Sequence, residues 1–188
     1  MATKLILIRH GQTDSNVKKR YRGFRDVDIN ATGKMQARRL AKRLAREKIH
    51  KVYASDRRRA IDTARIALKD FKVETVPALR EMHFGIFEGL TFNEIMRRYP
   101  RDYKKWLNDP FRVVIPKGES LGQARKRVTG ALKEIIRRHP NKTIAVVSHG
   151  GAISLFLTSV FKSPAATFSA VCAASLRLST MFFMAVRS

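Results

Sequence analysis

Two histidines each stand shortly after a run of apolar residues and directly before a glycine. His10 follows residues 4–8 and Arg9, and His149 follows residues 143–147 and Ser148. Apolar runs of this length, rich in Ile and Val, are typical of strands buried on both faces of a parallel sheet. Ligands of open α/β sheets bind at the carboxyl ends of such strands, so we expect both imidazoles at one rim of the sheet, facing a ligand crevice.

Arginines accompany these histidines. Arg9 precedes His10, and Arg59 stands just before apolar Ala60 on a helix expected to follow Ser55, where it is the arginine best placed to project inward. The first turn of that helix has unpaired backbone N–H groups, which makes it an expected neighbourhood for phosphate. Guanidinium groups bind phosphate oxygens in a bidentate manner. The pattern therefore predicts an anion pocket.

A carboxylate adds to the candidate site, and metal binding is a competing interpretation of the two histidines. Glu81 lies in the segment 81–89, and it could either lean over the crevice or pair with Arg80 or another cation. Metal binding is the obvious alternative for His10 and His149, but neither has a His-x-x-x-His spacing, and arginines rather than carboxylates stand beside them. We therefore predict no metal and no cofactor, with a small phosphorylated substrate or inorganic phosphate as the ligand.

Strand and helix patterns alternate along the chain, which is typical of an α/β fold. Strand patterns cover residues 4–8, 51–54, 72–76 and 143–147, helical periodicity covers 37–46, 60–68, 121–136 and 152–161, and closing strands are expected at 175–178 and 181–186. Thr91 and Glu94 form a capping-box signature that predicts a helix start near residue 92. We predict a three-layer α-β-α sandwich with a largely parallel mixed sheet, one domain over residues 1–188, and a loop and helix lid insertion at 77–120.

Composition limits the class of protein. The chain has 188 residues, 44% hydrophobic, and its 39 Lys+Arg against 15 Asp+Glu give a formal net charge of +24. This core content excludes whole-chain disorder, and the charge attracts anions. We expect nucleic acid to bind only through non-specific charge, although a nucleic-acid-binding protein with a vestigial pocket is an alternative. A lone cysteine, Cys172, no recognisable secretory signal and no apolar run long enough for a membrane span predict a soluble, cytoplasmic protein.

Several ordered motifs resemble the histidine phosphatase superfamily, the phosphoglycerate-mutase-like proteins. They are Arg9-His10-Gly11 with Asn16, Ser55-Asp56 with Arg59-Ala60-x-x-Thr63, Glu81 with Gly85 and Glu88-Gly89, and Ser148-His149-Gly150-Gly151. The resemblance implies a phosphoenzyme mechanism with His10 as the nucleophile and Glu81 as the proton donor. It also implies a phosphate pocket made by Arg9, Arg59 and His149, with Asn16 and the backbone of Gly150 as further contacts.

Within this family the chain looks like the phosphatase branch, including the α-ribazole phosphatase type. The resemblance implies a metal-independent phosphomonoesterase that acts on small phosphorylated metabolites through a phosphohistidine. A phosphoglycerate mutase-type phosphotransferase is the alternative, although mutases are similar around the first histidine but usually longer. The family relation also implies a monomer or a homodimer.

Overall fold

A five-stranded sheet organises the described part of the chain. The computed structural model describes residues 2–161 and 181–186. The strands are β1 (Thr3–Arg9), β2 (Lys51–Ala54), β3 (Val73–Thr75), β4 (Thr143–Ser148) and β5 (Met181–Val186), in the order β3-β2-β4-β1-β5. The β5 strand runs antiparallel to β1 and the other pairings are parallel. The predicted mixed, largely parallel sheet is confirmed, while the strand predicted at 175–178 lies outside the described residues.

Seven α-helices accompany the strands within the described residues. They are α1 (Asp14–Val17), α2 (Ala31–Leu44), α3 (Arg58–Ala67), α4 (Phe92–Arg98), α5 (Pro100–Asn108), α6 (Leu121–Arg138) and α7 (Gly150–Phe161). The capping box of Thr91 starts α4 at the predicted position. The α2 helix begins six residues earlier than predicted because Asn30 caps it, its side chain accepting a hydrogen bond from the Gly33 N–H at 2.9 Å.

Alternating side chains of the central strands build two apolar layers. Leu5 and Leu7 of β1 pack in one buried cluster with residues of α6 and α7. Ile6 and Ile8 pack in a second cluster with residues of α2 and α3. Because successive strand residues point to opposite faces of a sheet, each face carries its own helical layer. The predicted three-layer sandwich is confirmed.

The sheet has its topological switch point between β1 and β4. These strands are hydrogen-bonded neighbours, with Arg9 opposite Ser148 at their carboxyl ends. The chain leaves β1 towards α2 in one layer and leaves β4 towards α7 in the opposite layer. Helices that diverge in this way leave a crevice at the strand ends, which is where open α/β sheets bind ligands.

Residues 77–120 form one wall beside this crevice. They contain two 3₁₀ turns (Pro77–Leu79 and Gly85–Phe87) besides α4 and α5. Phe87, Tyr103 and Trp106 form a third buried cluster together with Leu121 of α6 and Leu155 of α7. The insertion therefore packs on the amino-terminal part of α6 and on α7, next to the rim. No helix of the described residues has the length and apolar character that a membrane span requires.

Candidate active site

A cavity of about 350 Å³ opens at the switch point between β1 and β4. Predicted site residues that line it are Arg9, His10, Asn16, Arg59, Glu81 and Gly150. The remaining predicted residue, His149, is fully buried and is not among the residues that line the cavity. Six of the seven residues proposed from sequence therefore share one cavity, and the seventh lies directly behind one of them.

His10 is held as a neutral imidazole. The residue is 5% exposed, and its Nδ1 lies 2.7 Å from the carbonyl oxygen of Gly11. A carbonyl only accepts hydrogen bonds, so Nδ1 carries the proton and Nε2 keeps its lone pair. Burial lowers the pKa of His10 well below its ordinary value, and the positive charges of Arg59 and Arg22 lower it further. The lone pair on Nε2 is what a nucleophilic histidine requires.

His149 packs against the ring of His10. Its ring centroid lies 5.2 Å from that of His10, with the two planes 62° apart. Its Nδ1 accepts a hydrogen bond from Nε of Arg59 at 3.2 Å, and its Nε2 lies 2.9 Å from Oγ of Ser55. Because Nδ1 is an acceptor, the ring proton is on Nε2 and points to Ser55. Burial lowers the pKa of His149 well below its usual range, and the charge of Arg59 acts in the same direction.

Arg59 is fixed by the protein itself. Only 1% of the residue is exposed, and its Nη1 and Nη2 donate to the carbonyl oxygens of Arg25 and Gly23 at 2.7 and 2.8 Å. Thr63 explains the spacing of the motif, because its hydroxyl donates to the carbonyl of Arg59 at 2.7 Å and accepts from the N–H of Gly11 at 2.9 Å. One turn of α3 thus ties the backbone of Arg59 to the loop that carries His10. The prediction that Arg59 projects inward is confirmed.

Glu81 faces the amino terminus of α7. Its carboxylate accepts hydrogen bonds from the N–H groups of Gly151, Ala152 and Met82, each at 3.0 Å. The positive end of a helix stabilises negative charge at this position. The alternative in which Glu81 pairs with Arg80 is excluded, because Arg80 pairs with Asp56. The carboxylate therefore lies in the cavity wall with a fixed orientation.

The expected phosphate position at the start of α3 needs correction. The N–H of Arg58, in the first turn of α3, donates to the carboxylate of Asp26 at 2.8 Å. An acidic side chain therefore occupies the place where the sequence suggested an anion. Instead, α7 borders the cavity with its first residue, Gly150, as α4 and α6 do with Phe92 and Leu121.

Arg22 is a site residue that sequence reasoning missed. It lines the cavity, and its Nη1 donates to Oγ1 of Thr13 at 2.6 Å. Burial lowers the pKa of Arg22 to about 10, and repulsion from Arg59 contributes. The residue lies in the loop between α1 and α2, where neither a strand end nor a helical period marks it. Only its presence in a basic stretch close to His10 could have drawn attention to it.

The side-chain amide of Asn16 is oriented so that its N–H groups can donate hydrogen bonds to a ligand. Its Oδ1 accepts hydrogen bonds from the backbone N–H and the hydroxyl of Thr13, both at 2.9 Å. This use of the carbonyl end leaves the two N–H donors of the amide, and the residue lines the cavity. The described residues contain no group of three or more His, Cys, Asp or Glu side chains that could hold a metal ion.

The site places a neutral imidazole among fixed guanidinium groups at the switch point of an α/β sheet. This arrangement is suited to phosphoryl transfer, which depends on positioning and charge stabilisation. These features define the chain as an enzyme of this class. Comparison with known proteins agrees, because residues 5–183 match the histidine phosphatase superfamily (branch 1), and the chain belongs to this family.

Individual relatives carry phosphatase and mutase-like names. The chain is 39% identical to phosphoserine phosphatase 1 of Hydrogenobacter thermophilus over 148 residues, which cover 78% of this chain and 70% of that protein. It is 41% identical to phosphoglycerate mutase-like protein 4 of Arabidopsis thaliana over 155 residues, 80% of this chain and 67% of the relative. The crystal structure of the α-ribazole phosphatase from Shigella flexneri superposes with a TM-score of 0.80 at 31% identity, covering 90% of this chain and 84% of that one.

Proposed function

We propose that this protein is a metal-independent phosphomonoesterase that hydrolyses small phosphorylated metabolites through a phosphohistidine on His10. The observation that carries the proposal is the hydrogen bond from Nδ1 of His10 to the carbonyl of Gly11, which leaves Nε2 unprotonated among the cavity-lining groups. In the first step the Nε2 lone pair attacks phosphorus, and the bond from phosphorus to the leaving oxygen breaks. A covalent intermediate of this kind divides one difficult displacement into two easier ones.

The guanidinium groups of Arg9 and Arg59 bind the phosphate in this proposal. Both line the cavity, and an arginine stays protonated throughout catalysis. Burial lowers the pKa of each, and the negative charge of Glu81 partly opposes this effect. A dianionic phosphate would supply the compensating charge, with Asn16 and the backbone of Gly150 as further donors. His149 would add its Nε2–H to an equatorial oxygen by turning away from Ser55.

Glu81 is the proposed proton carrier. In the first step its protonated carboxyl group gives a proton to the oxygen of the leaving alcohol. In the second step the carboxylate takes a proton from water, the water oxygen attacks phosphorus, and the N–P bond breaks to release phosphate and free His10. General acid and base catalysis of this type typically contributes roughly 10²–10⁴ in rate. The contacts of Glu81 with the start of α7 hold it at the cavity wall for both steps.

A phosphoglycerate mutase-type phosphotransfer is the second candidate, and the mutase-like relative favours it. A mutase returns the phosphoryl group to an organic acceptor, whereas a phosphatase gives it to water. Release of inorganic phosphate from 3-phosphoglycerate, with and without a bisphosphate primer, separates the two. A cytoplasmic location, a single domain, and a monomeric or homodimeric state with only non-specific nucleic-acid contacts remain predictions from the sequence.

The proposal is tested by trapping the intermediate. Incubation with p-nitrophenyl phosphate and an alkaline denaturing quench, which preserves phosphohistidine, should yield a phosphorylated peptide that contains His10. His10→Ala should abolish both the phosphopeptide and turnover. His50→Ala is the matched control, because His50 is exposed and its Nδ1 only accepts from the N–H of Thr143 at 3.0 Å. Near-normal turnover by His10→Ala would refute the assignment.

A further inference from the structure

Glu88 is a buried carboxylate that the proposed reaction does not use. Its side chain is 8% exposed, and it is not among the residues that line the cavity. No lysine or arginine of the described residues forms an ion pair with it, and Nε2 of His83 lies 3.6 Å from its Oε1. Removing a carboxylate from water is costly unless hydrogen bonds replace the lost hydration. The groups that bond to Glu88 therefore indicate what this charge does.

Three backbone N–H groups hold this carboxylate. Its Oε1 accepts from the N–H of Phe24 at 2.8 Å and from that of Phe84 at 3.1 Å, and its Oε2 accepts from the N–H of Arg25 at 3.0 Å. Two of the three donors belong to residues 23–25, which we call the 23–25 loop. Gly23 allows the close approach, because its φ is +49° and a Cβ at this position would overlap Oε1.

The carbonyl groups of the same loop orient Arg59. Gly23 and Arg25 each accept a hydrogen bond from one Nη of its guanidinium, at 2.8 and 2.7 Å. The peptide unit that joins Gly23 to Phe24 therefore has its C=O on Arg59 and its N–H on Glu88. A peptide unit is planar, and its C=O and N–H point in opposite directions. One rigid group thus connects the buried carboxylate to the guanidinium in the cavity.

The side chain of Phe24 anchors the loop a second time. Its ring stacks on that of His83, with 4.4 Å between the centroids. The guanidinium carbons of Arg80, Arg57 and Arg127 lie 5.0, 5.5 and 5.6 Å from the centroid of the phenylalanine ring. Cations at such distances are attracted to the face of an aromatic ring. The loop is therefore held both by its backbone N–H groups and by its aromatic side chain.

A carboxylate suits this position better than an amide of the same shape. Glu88 accepts hydrogen bonds at both of its oxygens. An amide has one oxygen and one NH₂ group, so it would direct N–H donors against a backbone N–H of the loop. The negative charge also acts on the guanidinium: burial lowers the pKa of Arg59, and Glu88 is one of the carboxylates that raise it.

We infer that Glu88 is a positioning residue of the phosphate pocket, which acts on Arg59 through the peptide unit between Gly23 and Phe24. The inference rests on the proposed binding of phosphate by Arg59. It gives a role to the Glu88-Gly89 motif, which the proposed reaction leaves unused. Because Glu88 does not line the cavity, its effect on a bound anion passes through the 23–25 loop.

Direct binding of orthovanadate tests the inference, because this phosphate-like anion needs neither a leaving group nor a proton from Glu81. In calorimetric titration of the full chain, Glu88→Gln should raise the Kd about tenfold or more, since displacement of the guanidinium weakens charge-assisted hydrogen bonds to the anion. Glu47→Gln is the matched control, because it removes the same charge at the amino end of β1, where Glu47 pairs with Lys4 at 2.7 Å. An unchanged Kd in Glu88→Gln, or an equal increase in Glu47→Gln, would overturn the inference.

A double-substitution cycle separates positioning from a general loss of structure. Arg59→Lys keeps the positive charge but lacks the two Nη groups that bond to the carbonyls of the 23–25 loop. Glu88→Gln should therefore change the orthovanadate Kd far less in Arg59→Lys than in the unmodified chain. A merely structural role would give the same fold-change in both backgrounds, because independent effects add in free energy. Equal fold-changes would contradict the positioning role.

Phe24→Leu keeps the test valid if Glu88→Gln fails to fold. Leucine remains apolar but cannot stack on His83, so the 23–25 loop loses its second anchor while the contacts of its backbone remain possible. The orthovanadate Kd should rise several-fold. Orthovanadate binding without turnover of p-nitrophenyl phosphate would refute the proposed phosphatase, whereas a Kd that neither Glu88→Gln nor Phe24→Leu changes would refute the positioning role.

Discussion

Arg59 and His149 are joined by a hydrogen bond from Nε of the guanidinium to Nδ1 of the imidazole at 3.2 Å. The contact fixes which nitrogen of His149 carries the proton, because Nδ1 can accept only when it is unprotonated. The proton is then on Nε2, 2.9 Å from Oγ of Ser55. One arginine therefore contributes positive charge to the cavity and sets the tautomer of the second histidine.

The contact between His149 and Ser55 predicts a loss of stability in Ser55→Ala. Both residues are fully buried, so the Nε2–H of His149 would lose its acceptor without gaining water. A buried polar group left unpaired costs about 1–3 kcal/mol. We expect the free energy of unfolding to fall by this amount in urea denaturation at neutral pH.

Ser154 offers a matched control for that substitution. It is 5% exposed, and its Oγ is buried without a hydrogen-bond partner in the described structure. Ser154→Ala removes an unpaired hydroxyl, so we expect no loss of stability or a small gain. If Ser154→Ala lowered the free energy of unfolding as much as Ser55→Ala, the hydrogen bond to His149 would not be the cause.

Glu81→Gln should impair alkyl phosphates far more than p-nitrophenyl phosphate. An alkoxide needs a proton to leave, whereas p-nitrophenolate leaves without one, and glutamine cannot transfer a proton. The amide oxygen can still accept from the N–H groups of Ala152 and Met82, which share one oxygen of Glu81, while the bond from Gly151 to the other oxygen is lost. We expect kcat/KM to fall by about 10²–10⁴ for glycerol 3-phosphate.

The same variant is also assayed with p-nitrophenyl phosphate. Because this leaving group needs no proton, the loss of activity that remains reflects slower hydrolysis of the phosphoenzyme. Glu74→Gln, on the exposed strand β3, serves as the control and should leave both substrates unaffected. Equal losses on the two substrates in Glu81→Gln would contradict a role in protonating the leaving group.

The lowered pKa values of His10 and His149 predict that stability falls on acidification. Burial and neighbouring arginines hold both rings neutral in the folded chain, while the unfolded chain protonates them below about pH 6.5. The stabilisation is therefore complete above pH 6.5 and is lost progressively as pH falls towards the lowered folded pKa values. Each histidine contributes a slope of up to about 1.4 kcal/mol per pH unit in that range.

Urea denaturation between pH 7.5 and pH 5.5 measures this slope. His139, whose pKa is also lowered by partial burial, acts with the same sign. In His10→Ala the dependence should weaken, because one of the buried titrating groups is gone. A slope that is unchanged in His10→Ala would mean that folding does not lower the pKa of His10, which would contradict the effect of burial and the neighbouring arginines.

Chelation should leave the activity intact. The site supplies arginines around the histidines, and the described residues hold no cluster of metal ligands. Turnover of p-nitrophenyl phosphate should be the same before and after dialysis against EDTA. Lost activity that returns on addition of a divalent cation would count against the proposed mechanism.

Strand ends were the most informative signal in the sequence. The apolar runs before His10 and His149 predicted two parallel strands, and these are the neighbours β1 and β4. Thr63 also belonged to a recognised motif, but the reason for its position, a bridge between Gly11 and Arg59, is visible only in the structure. Periodicity failed in the loop of Arg22, because loop residues carry no repeating pattern that shows which side faces the site.

The sequence by itself determined the fold class and the chemistry. Buried strands, amphipathic helices and glycines after histidines follow from local patterns that each element carries alone. The tertiary structure alone decided which groups meet: that Arg59 sets the tautomer of His149, that Asp26 occupies the start of α3, and that Arg22 lines the cavity. These relations join residues distant in the chain or lying in turns, so they depend on packing between elements and leave no periodic trace in the sequence.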